Sequence, residues 1–138
     1  MRQALHTLQV RTSGKSLVPI TRDVVAWTQA QAIASGLLTL WCRHTSASLT
    51  VQENADPAVQ RDILAYFERL APEGTEYSHD DEGPDDMPAH LRAMLTNVQL
   101  TIPVERGVPT LGTWQGIYIF EHRSNPHRRE IVMHLLGE

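Results

Sequence analysis

Between Val98 and Val104 the chain alternates Val98, Leu100, Ile102 and Val104 with Gln99, Thr101 and Pro103. A two-residue period puts the four aliphatic side chains on one face, so the segment reads as a strand laid against a core. Leu5–Val10 carries Leu8 and Val10 in the same pattern. Leu37 to Arg43 is instead a nearly continuous apolar run of strand length, and it and Ala47–Val51, with Leu49 and Val51 on one face, read as central strands; Ile117–Phe120 and Ile131–Leu136 supply two more strands. After Asp56-Pro57 the period changes: Val59, Ile63, Leu64, Phe67 and Leu70 recur at helical spacing and leave Arg61, Asp62 and Glu68 to water. Asp can cap that helix and Pro fits its first turn, while Pro72-Glu73-Gly74 stops it. Thr21 is placed to cap a second helix over Arg22–Ser35, with Asp23 in its first turn and Gly36 ending it. Asp85 or Asp86 can cap a third, short helix carrying His90, Leu91, Met94 and Leu95. Turns are expected at Gly14 and at Glu105-Arg106-Gly107.

Strands, helix, strands, two helices and a final run of strands do not make a regular βαβα alternation. The expected class is therefore α+β: one compact domain over residues 1–138, with mixed or antiparallel sheets and two to three helices. No internal repeat or linker divides the chain.

Composition narrows the function classes. A formal charge of −4, with Lys15 the sole lysine, argues against a nucleic-acid binder, which would show a basic patch. No apolar run approaches the roughly 20 residues that span a bilayer. Gln3, His6, Thr7 and Gln9 interrupt the N-terminal stretch where a signal peptide would be apolar, so the cytoplasm is the expected compartment and no membrane is an expected partner. Cys42 sits inside the apolar run and is expected to be a buried thiol.

Seven histidines in 138 residues, several beside carboxylates or hydroxyls, draw attention to polar chemistry. His44 opens His44-Thr45-Ser46-Ala47-Ser48 at the end of the buried run, either emerging at a sheet edge or simply bonded to backbone. His79 and His90 bracket an acidic stretch that includes Asp80, Asp81, Glu82, Asp85 and Asp86. Imidazoles suit zinc-like ions and carboxylates suit Mg²⁺, so a divalent cation, Zn or Mg, is the expected cofactor. His44, His79 and His90 would make an open zinc-type site, and Asp80 and Asp85 a harder one; an ordinary solvated acidic loop is the plain alternative. Gly112-Thr113-Trp114-Gln115-Gly116 joins two glycines to an amide that both donates and accepts, or else merely forms a bulge entering a strand. Arg123, in Glu121-His122-Arg123, and Arg129 are planar forks suited to phosphate or carboxylate. No Gly-x-Ser-x-Gly elbow accompanies Ser46 or Ser48, so a serine hydrolase is disfavoured.

Taken in order, His44-Thr45-Ser46-Ala47-Ser48-Leu49-Thr50, Glu53-Asn54, Asp56-Pro57, the run His79–His90, Gly112–Gly116 and Glu121-His122-Arg123 resemble the YjbQ family, also labelled secondary thiamine-phosphate synthase. The resemblance spans almost the whole chain. It implies a small α+β protomer, a homotrimer, and a histidine-rich polar site that takes up a metal or an anion. It further implies a modest activity joining a pyrimidine pyrophosphate to a thiazole phosphate; another small phosphorylated or carboxylated metabolite is the alternative substrate. Asp81 stands where members often carry an aromatic residue, and Pro84 tightens the next turn. Carried over by position, His44, Ser46, Glu53, His79, Asp80 and His122 are the candidate catalytic residues. Ser48, Asn54, Gln115, Arg123 and Arg129 are candidates for holding the substrate or anion, and His44, His79, His90, Asp80 and Asp85 for holding a metal.

Overall fold

A computed structural model describes residues 1–74 and 76–138; Thr75, within the acidic stretch, lies outside the described residues. The elements run β1 (Arg2–Ser13), β2 (Ser16–Pro19), α1 (Thr21–Ala30), β3 (Ser35–Cys42), β4 (Ala47–Glu53), α2 (Pro57–Leu70), α3 (Asp86–Leu95), β5 (Gln99–Glu105), β6 (Val108–Pro109), β7 (Gln115–Glu121) and β8 (Pro126–Gly137). They build a five-stranded sheet, β1-β8-β3-β5-β6, and a three-stranded sheet, β2-β7-β4. Every pairing is antiparallel. The three helices and antiparallel sheets make one α+β domain, as the order of periods predicts.

The two sheets face each other across a core of Leu38, Leu40, Leu49, Ile117, Ile119, Ile131, Met133 and Leu135, closed at one end by Ile20, Val24 and Ile33. Strand β7 explains its own unbroken burial. Ile117 and Ile119 belong to that core, while Tyr118 and Phe120 point the other way, onto Ile63, Leu64 and Phe67 of α2. The central strand of the small sheet is thus covered on both faces, and the polar residues that end it, Glu121 and His122, are drawn inside with it.

Three expectations change. Helix α1 stops at Ala30 rather than Ser35, and Ala32, at φ 55°, turns the chain out of it. Gly36 is a strand residue, not a helix stop: a Cβ there would lie 2.2 Å from the Leu136 carbonyl oxygen, so β3 and β8 approach closely at that point. Thr21 does not cap α1 with its side chain; its hydroxyl accepts the Ile117 backbone N–H at 2.9 Å and fastens the helix start to β7. Asp56 caps α2 as expected, accepting from the Ala58 N–H at 2.9 Å. No helix among the described residues is long and apolar enough to cross a membrane.

Candidate metal centre

The acidic stretch folds back over the start of α3, and the helical repeat does the rest. Asp86 and His90 are four residues apart, on one face of α3. His90 Nε2 lies 3.3 Å from Asp86 Oδ2, and His79 reaches the same oxygen from the preceding loop, Nε2 to Oδ2 at 2.6 Å. The two imidazole centroids are 5.5 Å apart. One ligand atom from each of His79, Asp86 and His90 can be chosen so that all three lie within 4.8 Å of one another; His79, Asp81 and Glu82 form a second such grouping that shares His79. Glu82 Oε2 is 3.1 Å from His79 Nε2.

Asp86 is buried and still charged. Burial opposes its ionisation, but the hydrogen bond with His79 and the charge of Arg123 hold its carboxyl below the usual range. The same hydrogen bond raises the pKa of His79. Arg123 braces the arrangement: Nε donates to Asp85 Oδ2 at 3.0 Å, Nη1 to Asp86 Oδ1 at 2.7 Å and Nη2 to the Glu82 carbonyl at 2.9 Å. Asp85 occupies the N-cap position of α3 without capping it, because its side chain instead accepts from the Ser124 N–H at 2.8 Å. Beside the centre opens a cavity of about 280 Å³ walled by Tyr77, His79, Asp80, Pro84 and Met87.

Other candidates lie elsewhere. His44 accepts the Glu130 N–H through Nε2 at 2.7 Å and stands outside both groupings of possible ligands; burial and then the nearby Arg129 charge lower its pKa. Asp80 and Asp85 are outside both groupings too, Asp80 on the cavity wall and Asp85 committed to Arg123 and Ser124. Arg129 is buried against Glu121, with Nε 2.7 Å from Oε1, and also donates to the Ser46 carbonyl at 3.2 Å. Neither arginine is therefore an open fork for an anion. Ser48 and His122, both buried, share a hydrogen bond of 2.9 Å, and the Thr96 hydroxyl donates to Ser48 at 2.6 Å. Glu53 accepts from the Ala55 and Asp56 N–H groups, and the Gln115 side chain accepts from the Gly112 N–H, so both hold turns. Asn54 Nδ2 approaches the Thr113 carbonyl at 3.4 Å. Because Ala47 pairs with Glu121 and Glu53 with Gln115, these last three residues occupy the opposite end of the small sheet, about 20 Å from His122 within one chain.

A family profile described as UPF0047 protein YjbQ-like matches residues 6–138. The chain belongs to this family. A UPF0047 protein of Synechocystis is 47% identical to it over 99% of this chain and 94% of the relative, and YugU of Bacillus subtilis is 37% identical over 96% and 99%. Among solved structures, a YjbQ/UPF0047 protein from Clostridium acetobutylicum superposes with TM-score 0.88 at 33% identity, covering 95% of this chain and 99% of that one. A conserved hypothetical protein from Thermus thermophilus gives TM-score 0.83 at 37% identity, over 95% and 99%. Family membership thus rests on the whole UPF0047 fold rather than on a single motif.

Asp86 is the residue that sequence reasoning passed over, although its four-residue spacing from His90 marked it. Glu121 and Thr12, which complete the buried Arg129 cluster, gave no such signal. Burial, then the Arg92 charge, pushes His122 down to about 3, so it is neutral throughout the working range. A histidine depressed in the folded state contributes stability that is complete above its unfolded pKa near 6.5 and is lost as pH falls toward the folded value. Between about pH 7.5 and about pH 5, His122 should cost the wild type about 2 kcal/mol. Urea midpoints at the two pH values check this: His122→Gln should lose markedly less on acidification than the wild type, and equal losses would contradict it.

Proposed function

We propose that this UPF0047 protein is a metal-dependent enzyme acting on a small phosphorylated compound, with His79, Asp86 and His90 as the ligands. The observation that carries the reading is the convergence of two imidazoles and one buried, ionised carboxylate on a single point. The fit is chemical as well as spatial. Tetrahedral zinc with bonds near 2.0–2.1 Å sets its ligand atoms about 3.3 Å apart, close to the His90–Asp86 separation of 3.3 Å and somewhat beyond the His79–Asp86 hydrogen bond of 2.6 Å. The donor set suits Zn²⁺ or a similar borderline ion better than Mg²⁺, which prefers oxygen. Three protein ligands leave a position open.

A bound ion would supply a Lewis acid for phosphoryl oxygens or a departing pyrophosphate. The protein's own residues orient that centre. Arg123 fixes the Asp86 carboxylate so that Oδ2 faces the imidazoles, and Asp85 ties Arg123 and Ser124 to the helix start. Glu82, beside His79, is positioned to accept a proton from a water or substrate at the open position.

The reaction implied by the family resemblance, pyrimidine pyrophosphate plus thiazole phosphate giving thiamine phosphate and pyrophosphate, is one instance of this chemistry, since its leaving group accumulates charge that a cation stabilises. Pyrophosphate release from those two substrates should be abolished by a chelator and restored by Zn²⁺. Full activity in stripped protein would overturn the metal reading; no release in either state, together with failure to complement a strain lacking its main thiamine-phosphate synthase, would transfer the reading to another phosphorylated or carboxylated substrate.

We also propose that the working form is a homotrimer. The outer face of the large sheet exposes Leu5, Leu37, Trp41 and Leu136, an apolar surface that suits burial against another copy, and closed symmetric rings are the common outcome. A stable monomer in sedimentation at micromolar concentration would contradict it.

A further inference from the structure

The end of the β1–β8 ladder gathers positive charge that nothing else in the fold uses. Arg11 stands directly opposite Arg128 in the register, and like charges so placed repel. Their neighbours Thr12 and Arg129 are buried between the sheets, so the alternation of each strand turns Arg11 and Arg128 to the outer face of the large sheet. Neither guanidinium has a hydrogen-bond or ion-pair partner among the described residues, because the carboxylates close by are taken. Glu130, two residues along β8 on the same face, is held by Arg43 Nη1 at 2.8 Å, and Glu121, beneath, by Arg129 and the Thr12 hydroxyl. Lys15, in the turn that follows β1, is committed to Glu68 at 3.0 Å and Glu73 at 2.6 Å. Of the imidazoles, His44 spends Nε2 on the Glu130 N–H, and His127 Nδ1 lies 2.7 Å from the Asn125 carbonyl oxygen. Arg11 and Arg128 are thus two uncompensated positive charges on a chain whose formal charge is −4.

The surface around them is concave. Arg11, Thr12, Ser13, Pro126, His127 and Arg128 line an open cavity of about 470 Å³, within the size of small-molecule sites. Ser13 shares the outward face of β1 with Arg11, and Pro126, opposite Ser13, gives the wall a fixed ring with no N–H of its own. We infer that this cavity binds a phosphoryl group, free or carried by a small molecule, between the guanidinium forks of Arg11 and Arg128, with the Ser13 hydroxyl as a further donor. Planar N–H pairs match the oxygens of a tetrahedral dianion, and a dianion seated between the two arginines replaces their repulsion with two attractions. The site is separate from the metal centre: α3, with Asp86 and His90, packs on β4 of the small sheet, on the other side of the core. It is separate from the apolar surface as well, since Leu5 lies six residues back along β1, about 20 Å away.

The test uses the full chain without added metal, so that its outcome does not depend on the metal site. Inorganic phosphate, phenyl phosphate and acetate are titrated into isotope-labelled protein at an ionic strength of about 0.15 M, which screens diffuse surface attraction, and backbone amide shifts are followed by NMR. The variants are Arg11→Gln, Arg128→Gln and Arg128→Lys, with Arg61→Gln on the exposed side of α2 as the control and circular dichroism to confirm each fold. Phosphate should bind at least about tenfold more tightly than acetate, with the largest shifts at Ser13, His127 and Arg128. Each glutamine variant should weaken phosphate by about tenfold, Arg128→Lys by about threefold because the charge stays and the fork is lost, and Arg61→Gln not at all. Phenyl phosphate binding as well as inorganic phosphate assigns the site to phosphorylated small molecules, and its exclusion assigns it to free phosphate. No saturable phosphate binding, an affinity no better than that for acetate, or full affinity in the two glutamine variants would overturn the inference. Shifts confined to His79, Asp86 and His90 would overturn it too, by placing the anion at the metal centre.

Discussion

Replacing Asp86 with asparagine should lower Zn²⁺ affinity by about 100-fold or more while leaving the chain folded. The carboxylate is the only anionic member of the three-ligand set, and its Oδ2 is the atom both imidazoles approach. Asparagine keeps an oxygen for Arg123 Nη1, so the brace between β7 and α3 need not collapse. Arg123→Ala provides the contrast. It removes no ligand but frees Asp86 to turn, and an outer partner of this kind typically costs 10–100-fold. Competitive titration against a chromogenic chelator orders the variants: wild type, then Arg123→Ala, then Asp86→Asn. A reversed order, or wild-type affinity in Asp86→Asn, would place the metal elsewhere.

The largest stability loss is expected at Arg129. Glu121 is fully buried and its charge is held by Arg129 and by the Thr12 hydroxyl; burial works against ionisation, yet these partners keep its pKa below the ordinary value. Arg129→Ala leaves that carboxylate without its counter-charge, which costs about 3–5 kcal/mol. For a chain of this size the melting temperature should fall by roughly 10–15 °C. The double variant Arg129→Met with Glu121→Leu should recover much of the loss, because a buried pair replaced by apolar side chains is often neutral. Thermal denaturation followed by circular dichroism checks both. A loss below about 1 kcal/mol in the single variant would mean that water reaches the pair.

These two expectations concern residues that the sequence presents very differently. The alternation of β5 and the helical period of α2 were legible because each is a local consequence of one buried face. Strand β2, only Ser16–Pro19, is too short to show a period, and Gly36 looked like a helix stop because a glycine required by close strand approach is indistinguishable in sequence from one required by a turn. In the site, His79 and His90 stood out from their acidic flanks. Asp85 and Asp86 could not be separated, since which carboxylate faces the imidazoles depends on the phase of α3, and Arg123 and Ser124 fix that phase from the connection between β7 and β8, 37 or more residues later. Arg123 and Arg129 read alike as anion forks. Their partners, Asp85 and Asp86 for one and Glu121 for the other, are brought in by tertiary contacts, and these consume the donors that a free anion would need. Glu53, Asn54 and Gln115 were grouped with His122 by motif, but antiparallel register sends them to the far end of the sheet.

Whether His79, Asp86 and His90 hold a divalent metal is read out by anomalous X-ray diffraction from crystals of untagged protein grown with Zn²⁺ and measured on both sides of the zinc edge. One dominant peak per chain is expected, about 2.0–2.2 Å from His79 Nε2, His90 Nε2 and an Asp86 oxygen. A map in which zinc sits at other histidines, such as His6, His127 or His134, and not between these three residues, would contradict it.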